Sequence, residues 1–239
     1  MEQRALTSIP EGGVAVVLGA TGGLGAALIE ALRSSGRFGL VLGFSRSTEP
    51  ALDVTDEASV QRVAARVGEA DVPLRLIFDA TGVLHDEELQ PEKSWRQIDA
   101  DTMQRAFAIN ATGPALVMKH LLPLLPRQGK SVFATLSARV GSIGDNHGGG
   151  WYAYRASKAA LNQLTRTAAI ELSRRRGDAV CVAMHPGTVD TPMTQPFSKR
   201  GLTVRAPEVA AGELLAVLDG LTPAESGGFF DQHGELVAW

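Results

Sequence analysis

The chain has 239 residues, 44% of them hydrophobic, and a formal net charge of −3, which suits one soluble domain with a continuous core and gives no footing for a strongly polyanionic partner. Its single cysteine, Cys181, excludes an intrachain disulfide and fits a reducing compartment. No stretch reaches the roughly 18 uncharged apolar residues that a spanning helix needs, so a cytoplasmic protein that binds neither nucleic acid nor membrane is expected.

The elements alternate from the start. Val14 to Leu18 reads as a buried strand. Gly19-Ala20-Thr21-Gly22-Gly23-Leu24-Gly25 follows it and opens a helix from about Leu24; glycines in that position let the backbone approach a pyrophosphate at a helix N-terminus. A methyltransferase would present a similar turn, but its place in the first strand-turn-helix favours a dinucleotide. Next come the strand Leu40 to Phe44, a helix from Glu57 capped by Asp56, and the strand Leu74 to Phe78. A long helix is expected from Asp101, as its cap, to Leu122, then the strand Ser131 to Thr135, a helix through Tyr154 to Ser173, and the strand Ala179 to Met184. The helix Pro207 to Leu218 and a short strand near Gly228 to Asp231 close the chain. Gly36 and Gly177 stand where helices should stop, and Arg174-Arg175-Arg176 suits the negative end of one. The rhythm predicts an α/β class protein: a single-domain Rossmann fold over residues 1–239, its doubly wound parallel sheet of about seven strands flanked by helices.

The second strand ends in Phe44-Ser45-Arg46, where an NAD-preferring site would offer an acid to the adenosine ribose. Arg46 can instead pair its planar fork with a 2′-phosphate. The expected cofactor is therefore NADP(H) rather than NAD(H).

Tyr154 and Lys158, four residues apart on a predicted helix, share a face. Alone, such a pair is usually a solvated helix surface, but Ser137 lies 17 residues upstream of the tyrosine and the glycine turn far upstream of both. An unperturbed tyrosine titrates near 10. An ammonium about 4 Å away interacts by roughly 4 kcal/mol at an effective dielectric of about 20, enough to bring the phenol to roughly 7 or 8. Tyr152 lacks this help, because Ala156 stands four residues after it. Ser137 has no Gly-x-Ser-x-Gly elbow around it, which argues against a hydrolase.

In this order the residues resemble the short-chain dehydrogenase/reductase family along nearly the whole chain. The resemblance implies a hydride transfer between NADP(H) and a small carbonyl or alcohol substrate, with Asn110, Ser137, Tyr154 and Lys158 as the catalytic tetrad. Tyr154 would act as general acid and base, Ser137 would hold the substrate oxygen, and Asn110 would hold a bend in the fourth helix and support a water relay to Lys158. It also implies cofactor contacts from Gly19, Thr21, Gly23, Leu24, Gly25, Ser45, Arg46, Asp53, Val54, Ala80, Thr81, Gly82, Pro186, Gly187, Val189 and Thr191, together with Tyr154 and Lys158. A homodimer or homotetramer through the long fourth and fifth helices is the family's common assembly.

Two departures stand out. The family's Asn-Asn-Ala-Gly appears as Asp79-Ala80-Thr81-Gly82, so the bonds that brace neighbouring strands must be made otherwise. The spacing from Ser137 to Tyr154 is lengthened by Gly148-Gly149-Gly150, giving a longer substrate loop over residues 138–153. With Gly82-Val83-Leu84-His85, Pro91-Glu92-Lys93-Ser94 and Gly150-Trp151-Tyr152-Ala153-Tyr154-Arg155, the chain resembles the branch of C-factor-like signalling proteins and related carbonyl reductases. A cofactor-binding signalling or regulatory protein with little turnover is the alternative function. A lid over residues 190–206, with Pro192, Met193, Pro196 and Phe197, favours an apolar or mixed substrate. His85, His120, His147, His185 and His233 are too scattered for metal ligation, so no metal site is expected, and His147 and His185 are candidates to line the substrate pocket.

Overall fold

A computed structural model describes residues 6–197 and 203–239. Strands β1 (Val14–Leu18), β2 (Leu40–Phe44), β3 (Leu74–Asp79), β4 (Ser131–Leu136), β5 (Ala179–His185) and β8 (Phe229–Asp231) form one sheet in the order β2-β1-β3-β4-β5-β8, every neighbouring pair parallel. The sheet thus has six strands, not about seven. Two further two-residue strands, β6 (Thr188–Val189) and β7 (Val204–Arg205), pair only with each other.

The side chains of the central strands alternate between two cores, as a pleated strand covered on both faces requires. Ala15 and Val17 of β1 join Leu28 and Leu32 of helix α1 (Gly23–Ser34) and Leu214 and Leu218 of α6 (Pro207–Gly220). Val14, Val16 and Leu18 face the other way, onto Val60 and Val63 of α2 (Glu57–Gly68), Val117 and Leu121 of α4 (Gly113–Leu121) and Leu161 and Leu172 of α5 (Tyr152–Ser173). Each fully buried leucine contributes about 1.5–3 kcal/mol over its exposed state. The Cys181 thiol lies in the second core, where burial pushes it up to about 12.

Asp56 caps α2 as expected, accepting from the Ala58 N–H at 3.0 Å. The long helix expected from Asp101 is different. Helix α3 (Ala100–Phe107) is capped by Asp99, whose carboxylate accepts from the Thr102 N–H at 2.9 Å, while Asp101 lies inside its first turn. A π-helical turn, Ala108–Thr112, then separates α3 from α4. Pro114 explains the break: it has no N–H to offer the carbonyl of Asn110 four residues earlier. A π-helical turn thus stands at Asn110, where a bend was expected.

Chain order reverses between β1 and β3, and ligands of such sheets bind outside the carboxyl ends of the strands at this switch point. The segments singled out in the sequence meet there.

Candidate active site

At the end of β1, Gly19 takes φ +81°, and a Cβ on Gly25 would stand 2.1 Å from the Gly19 carbonyl oxygen. Only glycines permit this turn to close. Helix α1 begins at Gly22 with no side-chain cap and no acid in its first turn, while Thr21, Gly22 and Gly23 are exposed. Leu24 is buried under the turn. The uncapped N–H groups of α1 suit the negative charge of a pyrophosphate. Thr191 arrives from the far end of the sheet, its Cγ2 within 3.0 Å of where a Gly23 Cβ would be.

Beyond β2, Ser45 is buried, its hydroxyl 3.1 Å from that of Ser47, and its N–H donates to the Thr48 hydroxyl at 2.9 Å. Arg46 is exposed and, among the described residues, pairs with no acid. A hydroxyl-lined turn with a free guanidinium fits a 2′-phosphate. Asp53 is also exposed; Thr55 donates to it through its hydroxyl (2.7 Å) and its N–H (2.9 Å), and these bonds, aided by Arg46, hold its carboxyl below the usual range. Val54 is buried beside it.

The end of β3 shows how the departure at Asp79 is accommodated. Asp79 is fully buried, accepts from the Thr81 N–H (3.0 Å) and hydroxyl (2.6 Å), and takes the Thr135 hydroxyl of β4 at 3.1 Å. The brace between β3 and β4 is thus a carboxylate. Burial pushes its pKa up, against the Thr81 bonds and the Lys158 charge. The Ala80 N–H donates to the Leu18 carbonyl at 2.9 Å, tying this turn to the glycine turn.

Gly82 lies beside two of the expected site residues: a Cβ there would stand 3.2 Å from Asn110 Oδ1 and 3.3 Å from Lys158 Nζ. Asn110, fully buried, grips Val83 by accepting its N–H and donating to its carbonyl, both at 2.8 Å, and also donates to the Ser157 hydroxyl at 3.2 Å. Lys158, 3% exposed, donates from Nζ to the Leu136 carbonyl at 2.8 Å. Ser137 follows Leu136 directly. Its N–H donates to the Met184 carbonyl, and its buried hydroxyl has no partner among the described residues. The four residues expected as a tetrad thus stand on the π-turn, directly after β4 and in the first two turns of α5.

The electrostatics differ from the sequence expectation. Burial pushes the Tyr154 phenol up to about 12, and burial pulls Lys158 down to about 8, with Asp79 partly restoring it. Nζ lies 5.9 Å from the centre of the Tyr154 ring and is turned to the Leu136 carbonyl. The desolvation of the phenolate outweighs the attraction of an ammonium placed this way.

Toward the lid, the rings of Tyr154 and Trp151 are 6.2 Å apart, Trp151 and Phe197 5.2 Å, and Phe197 and His85 5.3 Å, all edge to face. His85 Nε2 lies 3.1 Å from the Met193 carbonyl oxygen. His85 was legible only as part of a segment resemblance. Pro186, Gly187 and Val189 lead from β5 to Thr191, and His185 stands at the end of β5, where burial pulls its imidazole down to about 4. His147 is exposed in the glycine-rich loop. The lid expected over residues 190–206 falls partly outside the described residues. Among those described, no group of three or more His, Cys, Asp or Glu could hold a metal, and no helix is long and apolar enough to cross a membrane.

A parallel, doubly wound sheet with a Ser–Tyr–Lys group at its switch point defines the class, a Rossmann-type oxidoreductase. The family described as enoyl-(acyl carrier protein) reductase matches residues 40–211. A 1-hydroxy-2-glutathionyl-2-methyl-3-butene dehydrogenase of Rhodococcus sp. (strain AD45) is 37% identical over 194 residues, 81% of this chain and 80% of that one. The chain belongs to the short-chain dehydrogenase/reductase family. The C-signal protein of Myxococcus xanthus is 42% identical over 142 residues, 59% of this chain and 81% of that one. Among solved structures, an NADPH-bound carbonyl reductase from chicken fatty liver superposes with a TM-score of 0.82 at 26% identity, over 98% of this chain and 97% of its own.

Proposed function

We propose that this oxidoreductase reduces a small carbonyl compound with NADPH, or oxidises the corresponding alcohol with NADP, using Tyr154 as general acid and base. The buried hydroxyl of Ser137, without a partner among the described residues, carries the reading. Leaving such a group unsatisfied costs about 1–3 kcal/mol, and a substrate oxygen placed there removes that penalty. The uncapped start of α1 and the Ser45-Arg46 turn would hold the pyrophosphate and the 2′-phosphate. When bound, the nicotinamide supplies or accepts the hydride. Gly19, Thr21, Gly23, Leu24, Gly25, Asp53, Val54, Ala80, Thr81, Gly82, Pro186, Gly187, Val189 and Thr191 complete the proposed cradle.

Ser137 donates to the substrate oxygen and holds it against the Tyr154 hydroxyl. As negative charge builds on that oxygen, Tyr154 donates its proton, forming an O–H bond on the substrate and leaving a phenolate. A phenol near 12 holds its proton at neutral pH, as a donor in the reductive direction requires. The Lys158 ammonium, present below about 8, stabilises the phenolate, and Asn110, which with Lys158 flanks the space beside Gly82, supports the phenolate's reprotonation from solvent. The rings of Trp151 and Phe197 beside Tyr154 suit an apolar or mixed substrate. Assembly into a dimer or tetramer through α4 and α5 belongs to the same reading.

A second reading, a cofactor-binding signalling protein, is favoured by the similarity to the C-signal protein. A panel of aldehydes, ketones, quinones and 3-oxoacyl thioesters assayed with NADPH separates the two. Turnover of at least one class supports the enzyme, and tight NADPH binding with no turnover across the panel supports the signal.

A further inference from the structure

Four charged side chains among the described residues are buried: Asp79, Glu92, Lys158 and Asp231. Asp79 and Lys158 belong to the site above, and Asp231 faces Arg139 at 3.0 Å. Glu92, 4% exposed in the connection between β3 and α3, has no cation within ion-pair distance among the described residues. Burying an unpaired carboxylate is costly unless its oxygens are met by donors. Both carboxylate oxygens lie 3.2 Å from the Ala153 N–H, and the main-chain carbonyl of Glu92 accepts the Trp151 N–H at 2.5 Å.

These donors open α5. Its N-cap is Trp151, which has no hydroxyl or carboxylate with which to cap, and it is the sole non-glycine with positive φ (54°) among the described residues. Strain of this kind persists where surrounding contacts over-determine the backbone. Glu92 supplies the missing cap from a distant loop and pins the strained residue as well. Its charge sits at the positive end of a 22-residue helix. The next residue after Ala153 is Tyr154, and the left-handed turn at Trp151 aims the indole at both Tyr154 and Phe197.

We infer that Glu92 is a positioning residue for the proposed reaction: by capping α5 in trans it fixes the direction of the Tyr154 phenol and the Trp151 ring. The inference rests on Tyr154 being the proton donor. A misplacement of about 1 Å can lower a rate by about 10²-fold, so Glu92→Ala is expected to lower kcat by about 10- to 100-fold with the NADPH dissociation constant unchanged. Glu92→Gln retains an oxygen that accepts from Ala153 and is expected to restore kcat to within about threefold of the parent. In a Tyr154→Phe background, Glu92→Ala should have no further effect, because the group it positions is gone.

Amide hydrogen exchange gives a readout that needs no substrate. Protection at residues 152–155 should fall in Glu92→Ala and persist in Glu92→Gln, with the rest of α5 unchanged. If the carbonyl panel shows no turnover in the parent chain, the proposed function fails while the exchange result still judges the cap. Unchanged protection and unchanged kcat in Glu92→Ala, or an equal loss of residual rate in the Tyr154→Phe background, overturns the inference. Should Glu92→Ala not fold, Glu92→Asp, whose shorter side chain withdraws the oxygens, must lower kcat and local protection together.

Discussion

The two halves of the candidate site are built in opposite ways. Around β1 and β2 the groups are backbone N–H donors and exposed side chains: Thr21, Gly22 and Gly23 lie open, and Arg46 and Asp53 face solvent. Around β4 and α5 they are buried side chains, with Asn110, Ser137 and Lys158 each under 5% exposed. A site made of backbone and solvent-facing charge binds through contacts whose worth is set locally. A site made of buried groups derives its chemistry from desolvation, which no short stretch of sequence encodes.

Substitutions should therefore separate the two halves. Tyr154→Phe removes the proposed general acid and should lower carbonyl reduction by about 10³- to 10⁴-fold, with the NADPH dissociation constant, read by fluorescence, nearly unchanged. Lys158→Ala should damage both turnover and cofactor binding, because its ammonium lies beside Gly82 of the proposed cradle as well as near Tyr154; an unaltered affinity would confine it to proton chemistry. Ser137→Ala should cost about 10²-fold in kcat as one donor to the developing oxyanion is lost. Arg46→Ala should act in the reverse sense, weakening NADPH by about 10- to 100-fold through loss of one charged contact. Its kcat at saturating NADPH, and its affinity for NADH, should hold.

The smallest effect is a pH dependence. Reduction needs the Tyr154 proton, lost only near 12, and the Lys158 charge, lost near 8. Reductive kcat/KM should thus be flat below about 8 and fall about tenfold per pH unit above it, while alcohol oxidation, which needs the phenolate, should rise with pH. A reductive profile flat from pH 6 to 10 contradicts the assigned role of Lys158.

The cofactor half was the more legible in the sequence for the same reason that it is the more local. Gly19 to Gly25 lie within one turn, and their spacing encodes the closure that a Cβ on Gly25 would block. All six sheet strands were legible as apolar runs; the expected seventh had no run of its own, and the two-residue pair β6 and β7 lies outside the sheet. The cap of α3 was misplaced because Asp99 and Asp101 are chemically alike, and only the extended backbone of Asp99 selects between them. In the other half the burial and neighbours that set the electrostatics of the proposed catalytic residues were not legible. The expected lowering of the Tyr154 pKa assumed an ammonium about 4 Å away in a polarisable setting; folding leaves the residue half-buried with its phenol desolvated, and turns Nζ to Leu136. Glu92 acts across 61 residues on Ala153, and its trace in the sequence is a helix beginning at Tyr152 with no capping residue before it.

The most direct test measures NADPH affinity and single-turnover carbonyl reduction side by side in Tyr154→Phe and Arg46→Ala. The account predicts a crossed result: the first variant binds NADPH like the parent and scarcely reduces, and the second binds weakly yet reduces at the parental rate once saturated. Full turnover by Tyr154→Phe, or parallel losses of binding and rate in both variants, would contradict it.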